Sequence, residues 1–303
     1  MAVLIYSATP GLALELITAA RRIDEAIIAV SINDDSMAAA LREAGARTIK
    51  INHPQLLIGD TRALAAALKQ VADREQTETV FLSSDRRGKE LAGRLAQAMG
   101  AGCLTDVAAV NLDAGKIECQ RNALGGATIA TQYVEGAQVI ALRPRSYEAA
   151  GAGNGSLEEM QAEIKESGLK VVDYKPKAGD RVNIEAAEIL VAVGQGLSDE
   201  EKLADVQTLA AKLGGEVACS KPVATDKKWL SEERVIGLSG KKCKPQLALL
   251  FGISGQVQFT VGIRDARVIA AVNTDENAAI NYMADYIMQA DLHDVINELN
   301  QKL

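Results

Sequence analysis

Apolar and polar positions along the chain switch between two periods. Short β-rich runs are followed by Ala/Leu stretches with helical spacing: Val3–Tyr6, then Leu12–Arg22, then Ala26–Ser31, then Met37–Ala44. The rhythm continues with a strand at Arg47–Ile51, a helix over Arg62–Arg74, a strand at Thr79–Leu82 and a helix over Gly88–Met99 closed by Gly100. Such βαβα alternation predicts a mostly parallel sheet with helices on both faces. After Cys103 the texture turns β-rich. Lys116–Gln120, Thr128–Tyr133 and Gln138–Leu142, separated by Gly125-Gly126 and Glu135-Gly136, predict hairpin-like strands that finish a first domain. Ala149–Ser156 has no periodicity and reads as an excursion, followed by an acidic helix and a strand at Lys170–Tyr174.

A second βαβ series begins with Glu188–Val193, turns at Gly194-Gln195-Gly196 and enters a helix over Glu200–Leu213 that stops at Gly214-Gly215. Ser198, ahead of Asp199, Glu200 and Glu201, suits the cap of that helix. Further strands are Glu216–Ala218, Leu247–Phe251, Val268–Val272 and Tyr286–Gln289, and Leu292–Leu303 forms a final helix. The expectation is therefore an α/β protein of two doubly wound parallel-sheet domains, residues 1–183 and 184–303.

Composition narrows the function classes. A formal net charge of -7 argues against a nucleic-acid or anionic-membrane surface, which leaves small molecules and proteins as partners. Aromatic residues are 3% of the chain, so the cores must be Ala, Val, Leu and Ile, as in parallel strands buried under helices. No apolar run approaches the ~20 residues of a membrane span, and Met1–Tyr6 reads as a first strand rather than a leader. Cys103, Cys119, Cys219 and Cys243 are scattered without a CxxC pair, which suits a reducing cytoplasm. With only His53 and His293 besides, neither a metal centre nor a histidine triad is expected.

The strongest local signal is Leu247–Gly262, where an apolar strand runs into Gly252-Ile253-Ser254-Gly255 and then an apolar-periodic helix. Glycines let the backbone approach an anion, and free N–H groups plus the Ser254 hydroxyl can donate to a pyrophosphate. The same pattern also fits a tight βα turn that needs glycine only for its dihedrals. Gly194-Gln195-Gly196 is similarly placed but lacks the third glycine of the dinucleotide fingerprint. Arg86-Arg87-Gly88-Lys89 reads as a solvated basic helix start. Asn273 with Asp275, and Asp291, follow the later strands, where they could contact ribose or adenine or serve as turn and cap residues.

With these residues assembled, Gly194–Leu303 resembles the electron transfer flavoprotein alpha (large) subunit family. The resemblance runs through Gly252–Phe259, Val272-Asn273, Ala284-Asp285-Tyr286 and Ala290-Asp291-Leu292. Upstream, Ala218-Cys219-Ser220-Lys221-Pro222-Val223 is similar to the family's Ser-Arg-Pro turn, and Gly237-Leu238-Ser239-Gly240 to its Gly-Gln-Thr-Gly loop. Weaker landmarks are Arg87-Gly88-Lys89, Leu91-Ala92, Asp106, Gly125-Gly126 and Arg143.

The resemblance implies two Rossmann-like domains, the C-terminal one holding FAD, in a heterodimer with a beta subunit. Such a protein carries electrons rather than transforming a substrate, taking them from acyl-CoA dehydrogenase-like or other flavin dehydrogenases and passing them to a quinone oxidoreductase or similar acceptor. By residue, it implies Ser220 and Ser254 at the pyrophosphate and Ser239 facing flavin N5. Gly252, Ile253, Gly255 and Gln258 would line the cofactor, and Asn273, Asp275, Asp291 and Leu292 would hold the adenosine end. Departures from the family pattern gather at the flavin end: Lys221 for arginine, Leu238 for glutamine, Ser239 for threonine and Phe259 for histidine. Lysine keeps the charge but loses the flat guanidinium, and phenylalanine removes a donor. The competing readings are a nucleotide-binding paralogue with altered or lost flavin redox activity, and a nicotinamide-dependent dehydrogenase, which the missing GxGxxG weakens.

Overall fold

The computed structural model describes residues 2–24, 26–57, 59–124, 128–165, 168–169, 171–173 and 182–303. The chain divides into two compact units, Met1–Val172 and Asp173–Leu303, upstream of the boundary expected at 183/184.

The first unit opens with β1 (Val3–Tyr6), α1 (Pro10–Ala20), β2 (Ile27–Ile32), α2 (Asp35–Glu43), β3 (Arg47–Ile51), α3 (Thr61–Glu75), β4 (Thr79–Ser83) and α4 (Arg86–Met99). It continues with β5 (Gly102–Asp113), β6 (Lys116–Ala123), β7 (Thr128–Tyr133), β8 (Gln138–Leu142) and β9 (Leu157–Glu159). Its nine-stranded sheet runs β7-β6-β5-β8-β4-β1-β2-β3-β9. β6 is antiparallel to both β5 and β7, and the remaining pairs are parallel. α2, α3 and α4 start where aspartates supply an acceptor: Asp34 to the Met37 amide, Asp60 to the Ala63 amide at 3.0 Å and Asp85 to the Gly88 amide at 2.8 Å. Gly100 ends α4 at φ 64, the left-handed stop its position predicts. Apolar side chains fill two cores, one on each face of the sheet, Leu4 and Leu82 in one, Ile5 and Phe81 in the other.

Two expectations are corrected here, and one strand is added. Leu157-Glu158-Glu159 is not an acidic helix but the edge strand β9, paired in parallel with β3. Its carboxylates face cations of the neighbouring elements: Glu158 bonds Arg47 at 2.7 Å and Arg74 at 3.2 Å, and Glu159 bonds Lys50 at 3.2 Å. Residues 171–173 form no strand, while Lys170, Tyr174 and Gly125-Gly126 lie outside the described residues. β5 went unforeseen because its alternation breaks at Asp106, which sits at φ 56 where the pairing with β8 shifts register.

The second unit holds β10 (Ile189–Val193), α5 (Leu203–Lys212), β11 (Glu216–Cys219), α6 (Lys221–Thr225), β12 (Leu247–Phe251), α7 (Val257–Thr260), β13 (Ile269–Asn273), β14 (Tyr286–Gln289) and α8 (Leu292–Lys302). Its five strands are all parallel, in the order β11-β10-β12-β13-β14. Val191, Phe251, Val206 and Ile296 pack one face under α5 and α8. On the other face Leu190 and Leu250 meet Ile236, Ile263 and Ile280, which come from short irregular segments. Ser198 does not cap the helix that follows it: its hydroxyl donates to Asp199 at 2.9 Å, and a 3-10 turn at Glu200–Lys202 precedes α5. The helix expected after the GISG turn is a single turn, α7.

Candidate functional site

In the second sheet β10 is flanked by β11 on one side and β12 on the other, so the chain reverses its winding between β10 and β12. The carboxyl ends of these strands bound a crevice, the place where open α/β sheets hold ligands. A cleft of about 650 Å³ occupies it.

Its floor is made of the two glycine turns. Gly194 donates to the Phe251 carbonyl at 2.9 Å and Gly196 to the Gly252 carbonyl at 3.1 Å, so the turns after β10 and β12 lie against each other. A Cβ on Gly194 would stand 2.2 Å from the Gly252 oxygen, closer than any side chain tolerates. Gly194 and Gly196 are therefore required by backbone contact, and Gly252, at φ 60, by dihedral freedom as well. Sequence reasoning weighed the two turns separately, and their union is visible only once β10 and β12 pair. Gly255, at φ 85, carries the turn toward the Ala279–Tyr282 segment, where the Ile280 amide donates to the Ser254 carbonyl at 3.1 Å. Among the described residues, the amides of Ile253, Ser254 and Gly255 donate to no protein acceptor. Together with the exposed Ser254 side chain they form a set of donors suited to a phosphate oxygen.

The wall after β11 starts with Ser220, whose amide donates to the Val193 carbonyl at 3.0 Å, and Pro222 in the first turn of α6 fixes the chain's exit. Lys221 is exposed and supplies the positive charge of the lining, which also holds Asp226 and Asp275. Opposite, Gly237 adopts φ 138, a conformation open to glycine, and the Leu238 amide holds the Gln258 carbonyl at 2.7 Å. That contact turns the Leu238 side chain out to solvent, at 68% exposure, and leaves Ser239 lining the cleft. Phe259 lines it too, but its ring is 7% exposed and packs in the same core as Ile236 and Ile263. After β13, the Asn273 amide group donates to the Ile253 carbonyl at 3.0 Å, and its side-chain oxygen accepts from the Asp275 amide at 3.1 Å.

The structure thus brings Ser220, Lys221, Gly237, Ser239, Gly252, Ile253, Ser254, Gln258, Phe259, Asn273 and Asp275 around one cleft. Four other expected residues lie outside its lining. Asp291 caps α8, accepting from the His293 amide at 2.7 Å; Leu292 is buried beneath Gly252; Leu238 faces solvent; and Gly255 packs on Ile280. The sequence reading missed Thr225 and Asp226, one turn beyond Lys221, where the Thr225 hydroxyl donates to Asp226 at 2.8 Å. It also missed Lys227, whose ammonium donates to the Leu197 carbonyl at 2.6 Å and sits 4.1 Å above the Trp229 ring, tying the Gly194–Gly196 turn to the α6 wall. Helical spacing from Lys221 was the available signal for the first pair; nothing local foretold the clamp.

Among the described residues no histidine lines the cleft to activate its hydroxyls. Burial pushes the neighbouring Cys219 thiol up to about 12, which keeps it protonated. Among the described residues no cluster of histidine, cysteine and carboxylate groups could hold a metal ion, and no helix is long and apolar enough to cross a membrane. What the arrangement offers is volume, unpaired backbone donors, hydroxyls and one cation, a fit for an extended dinucleotide with an anionic middle.

The comparisons agree with that chemistry. Residues 183–264 match the profile described as electron transfer flavoprotein FAD-binding domain, and residues 10–168 the electron transfer flavoprotein domain. The chain is 29% identical over 309 residues to Protein FixB of Salmonella typhimurium strain LT2, covering 99% of this chain and 97% of that one. It is 30% identical over 303 residues to the YdiR protein of Escherichia coli strain K12, with the same coverage. A solved thiamin diphosphate-dependent enzyme from Mycobacterium smegmatis aligns at 11% identity and a TM-score of 0.25, covering 97% of this chain and 54% of that one, too distant to bear on the fold. Two matched domains in the right order, and relatives aligned end to end, place this chain in the electron transfer flavoprotein alpha subunit family.

Proposed function

We propose that the chain is the FAD-holding subunit of an electron carrier, with residues 184–303 as the cofactor domain. The observation that carries this reading is the pair of glycine turns joined at the switch point of the second sheet, with the Ile253–Gly255 amides unpaired above them. Those amides and the hydroxyls of Ser220 and Ser254 bind the pyrophosphate, and Lys221 offsets its charge. Asn273 and Asp275 at the end of β13 take the adenosine side, with Asp291 and Leu292 ordering the loop behind it. Gly237, Ser239, Gln258 and Phe259 enclose the flavin side. The bound isoalloxazine accepts and releases the electrons. The chain's own part is to orient the ring and leave one edge open to protein partners.

The carrier works as a heterodimer with a beta subunit in the cytoplasm, accepting electrons from acyl-CoA dehydrogenase-like or other flavin dehydrogenases and delivering them to a quinone oxidoreductase or similar acceptor. The exposure of Leu238 and the cleft's open form suit a flavin shared with a partner surface. The test is the absorption spectrum of the full-length chain co-produced with its beta-like neighbour. A yellow complex with about one FAD per heterodimer supports the reading; a colourless complex that takes up no added FAD overturns it.

A second reading draws on one observation, the burial of Phe259 among aliphatic side chains, which leaves that position of the wall without a donor. On that reading the chain is a nucleotide-binding paralogue with altered or lost flavin redox activity. On it the chain binds FAD but is neither reduced by a dehydrogenase nor reoxidised by a quinone couple, which stopped-flow reduction of the yellow complex distinguishes.

A further inference from the structure

The first unit has its own switch point. β1 lies between β2 and β4, the chain winding outward through β2 and β3 and then crossing back to β4. The carboxyl ends of β1 and β4 therefore flank a crevice equivalent to the one in the second unit. A cleft of about 560 Å³ fills it, within the roughly 300–1,000 Å³ of small-molecule sites.

Four features give this cleft a chemistry. First, α1 begins on its rim uncapped: Thr9 makes no side-chain cap bond, and no acidic residue stands in the first turn, so the positive helix end is left unneutralised. Second, Arg86 and Arg87 line the cleft at the start of α4, and among the described residues neither has a hydrogen bond or ion pair. Third, the two carboxylates beside them are engaged elsewhere. Asp85 accepts from the Gly88 amide and the Ser83 hydroxyl, each at 2.8 Å, and Glu90 accepts from Thr61 at 2.7 Å and Arg94 at 3.0 Å. Fourth, a narrow inner chamber that shares Ala8, Thr61, Asp85 and Arg87 with the cleft is lined by Tyr6. Tyr6 is 6% exposed, and among the described residues its hydroxyl has no hydrogen-bond partner. The hydroxyl opens onto the chamber, where a ligand oxygen could accept its hydrogen bond.

We propose that this crevice is a second ligand site, specific for a phosphate monoester of mononucleotide size, held by Arg86, Arg87 and the start of α1 with the Tyr6 hydroxyl as the inner donor. Two adjacent guanidinium groups and free helix amides match the three acceptor oxygens of a phosphate dianion better than a single carboxylate. Burial and the nearby Asp85 push the Tyr6 hydroxyl up to about 12, so it stays a donor at any working pH. The site lies in the other unit from the flavin cleft and does not rest on the FAD reading.

Isothermal titration of the full-length protein, both as purified and with FAD added, with adenosine 5′-monophosphate, adenosine and inorganic phosphate tests it. The expected result is one monophosphate bound per chain with no release of FAD, and adenosine at least about tenfold weaker. The double variant Arg86→Gln/Arg87→Gln should weaken the monophosphate by about tenfold or more, and Tyr6→Phe by a smaller factor. Because both arginines are exposed, their replacement leaves the fold intact even if Tyr6→Phe does not. Absence of binding, displacement of FAD by the nucleotide, affinity unchanged in the arginine variant, or adenosine binding as tightly as its monophosphate would each overturn the assignment.

Discussion

In the first unit, the strands β2, β3 and β4 lead into helices of 9, 15 and 14 residues, each started by an aspartate that accepts from a backbone amide. In the second, the segments after β11 and β12 are helices of 5 and 4 residues with no side-chain cap. Capped helices spend their first amides on the cap, so the first unit's cleft is lined mainly by side chains such as Arg86 and Arg87. Truncated ones leave backbone donors unspent above the second unit's cleft, so the same parallel architecture yields a cleft of side chains in one unit and the proposed cofactor cradle of backbone amides in the other.

The largest way to break that contrast is Ser254→Asp. It sets a carboxylate among the turn amides, and a like charge about 4 Å from a phosphate at a protein surface costs about 4 kcal/mol, roughly a thousandfold in FAD affinity. Titration calorimetry should show that loss while the unfolding of the first unit stays unchanged. Retained FAD would mean that the pyrophosphate lies elsewhere.

Phe259→His probes the flavin side. A hydrogen bond to a charged group is worth about 1.5–3 kcal/mol, so a restored donor should raise the midpoint potential of bound FAD with little change in affinity. The ring position is buried, so the variant should also lose about 1–3 kcal/mol of stability. Spectroelectrochemistry that finds the potential unmoved would show that this wall does not touch the redox edge.

A paired substitution sharpens the comparison further. Gly88→Ala would place a Cβ 1.8 Å from the Ser83 oxygen in the first unit, and Gly194→Ala one 2.2 Å from the Gly252 oxygen in the second. Each should destabilise by about 1–3 kcal/mol in chemical denaturation. Only Gly194→Ala should also reduce the FAD-to-protein ratio.

The smallest effect is acid. The amide of Met37 holds Asp34 below the usual carboxylate range, the Thr61 hydroxyl does the same for Glu90 and the Tyr133 hydroxyl for Glu118, all in the first unit. In the second, Lys302 lowers Glu298. A lowered folded pKa stabilises above the ordinary values of 3.8 and 4.5, and the contribution is lost as pH falls through the lowered ones. Below about pH 4 the first unit should therefore weaken slightly more than the second, by little because these groups are solvated. Differential scanning calorimetry from pH 5 to pH 3 measures it.

Much of this was legible from residue order. The strands Val3–Tyr6, Arg47–Ile51 and Leu247–Phe251 stand where periodicity puts them, because parallel strands covered on both faces are short apolar runs and their punctuation is glycine. The exposed edge strands Thr128–Tyr133 and Tyr286–Gln289 also stand where they were expected, marked by β-branched and aromatic residues. β9 escaped because three residues carry no period, and their charge reads as helix until Arg47, Arg74 and Lys50 are seen beside them. At the cleft, the serines and glycines were visible as motifs. The contact between Gly196 and Gly252 and the Lys227 clamp depend on pairing far along the chain, which no local window contains.

β9 also decides where the first sheet ends. β3 would otherwise present a row of open amides and carbonyls to any passing chain, the usual starting point for edge-to-edge polymerisation. Three residues tied down by ion pairs close that route, and what they present outward is acidic. The guard is electrostatic, so concentrated salt loosens it while tightening the apolar cores. Protection from self-association in this protein is therefore greatest in dilute buffer, and a chain cut ahead of Leu157 would lose it while keeping every helix of the unit.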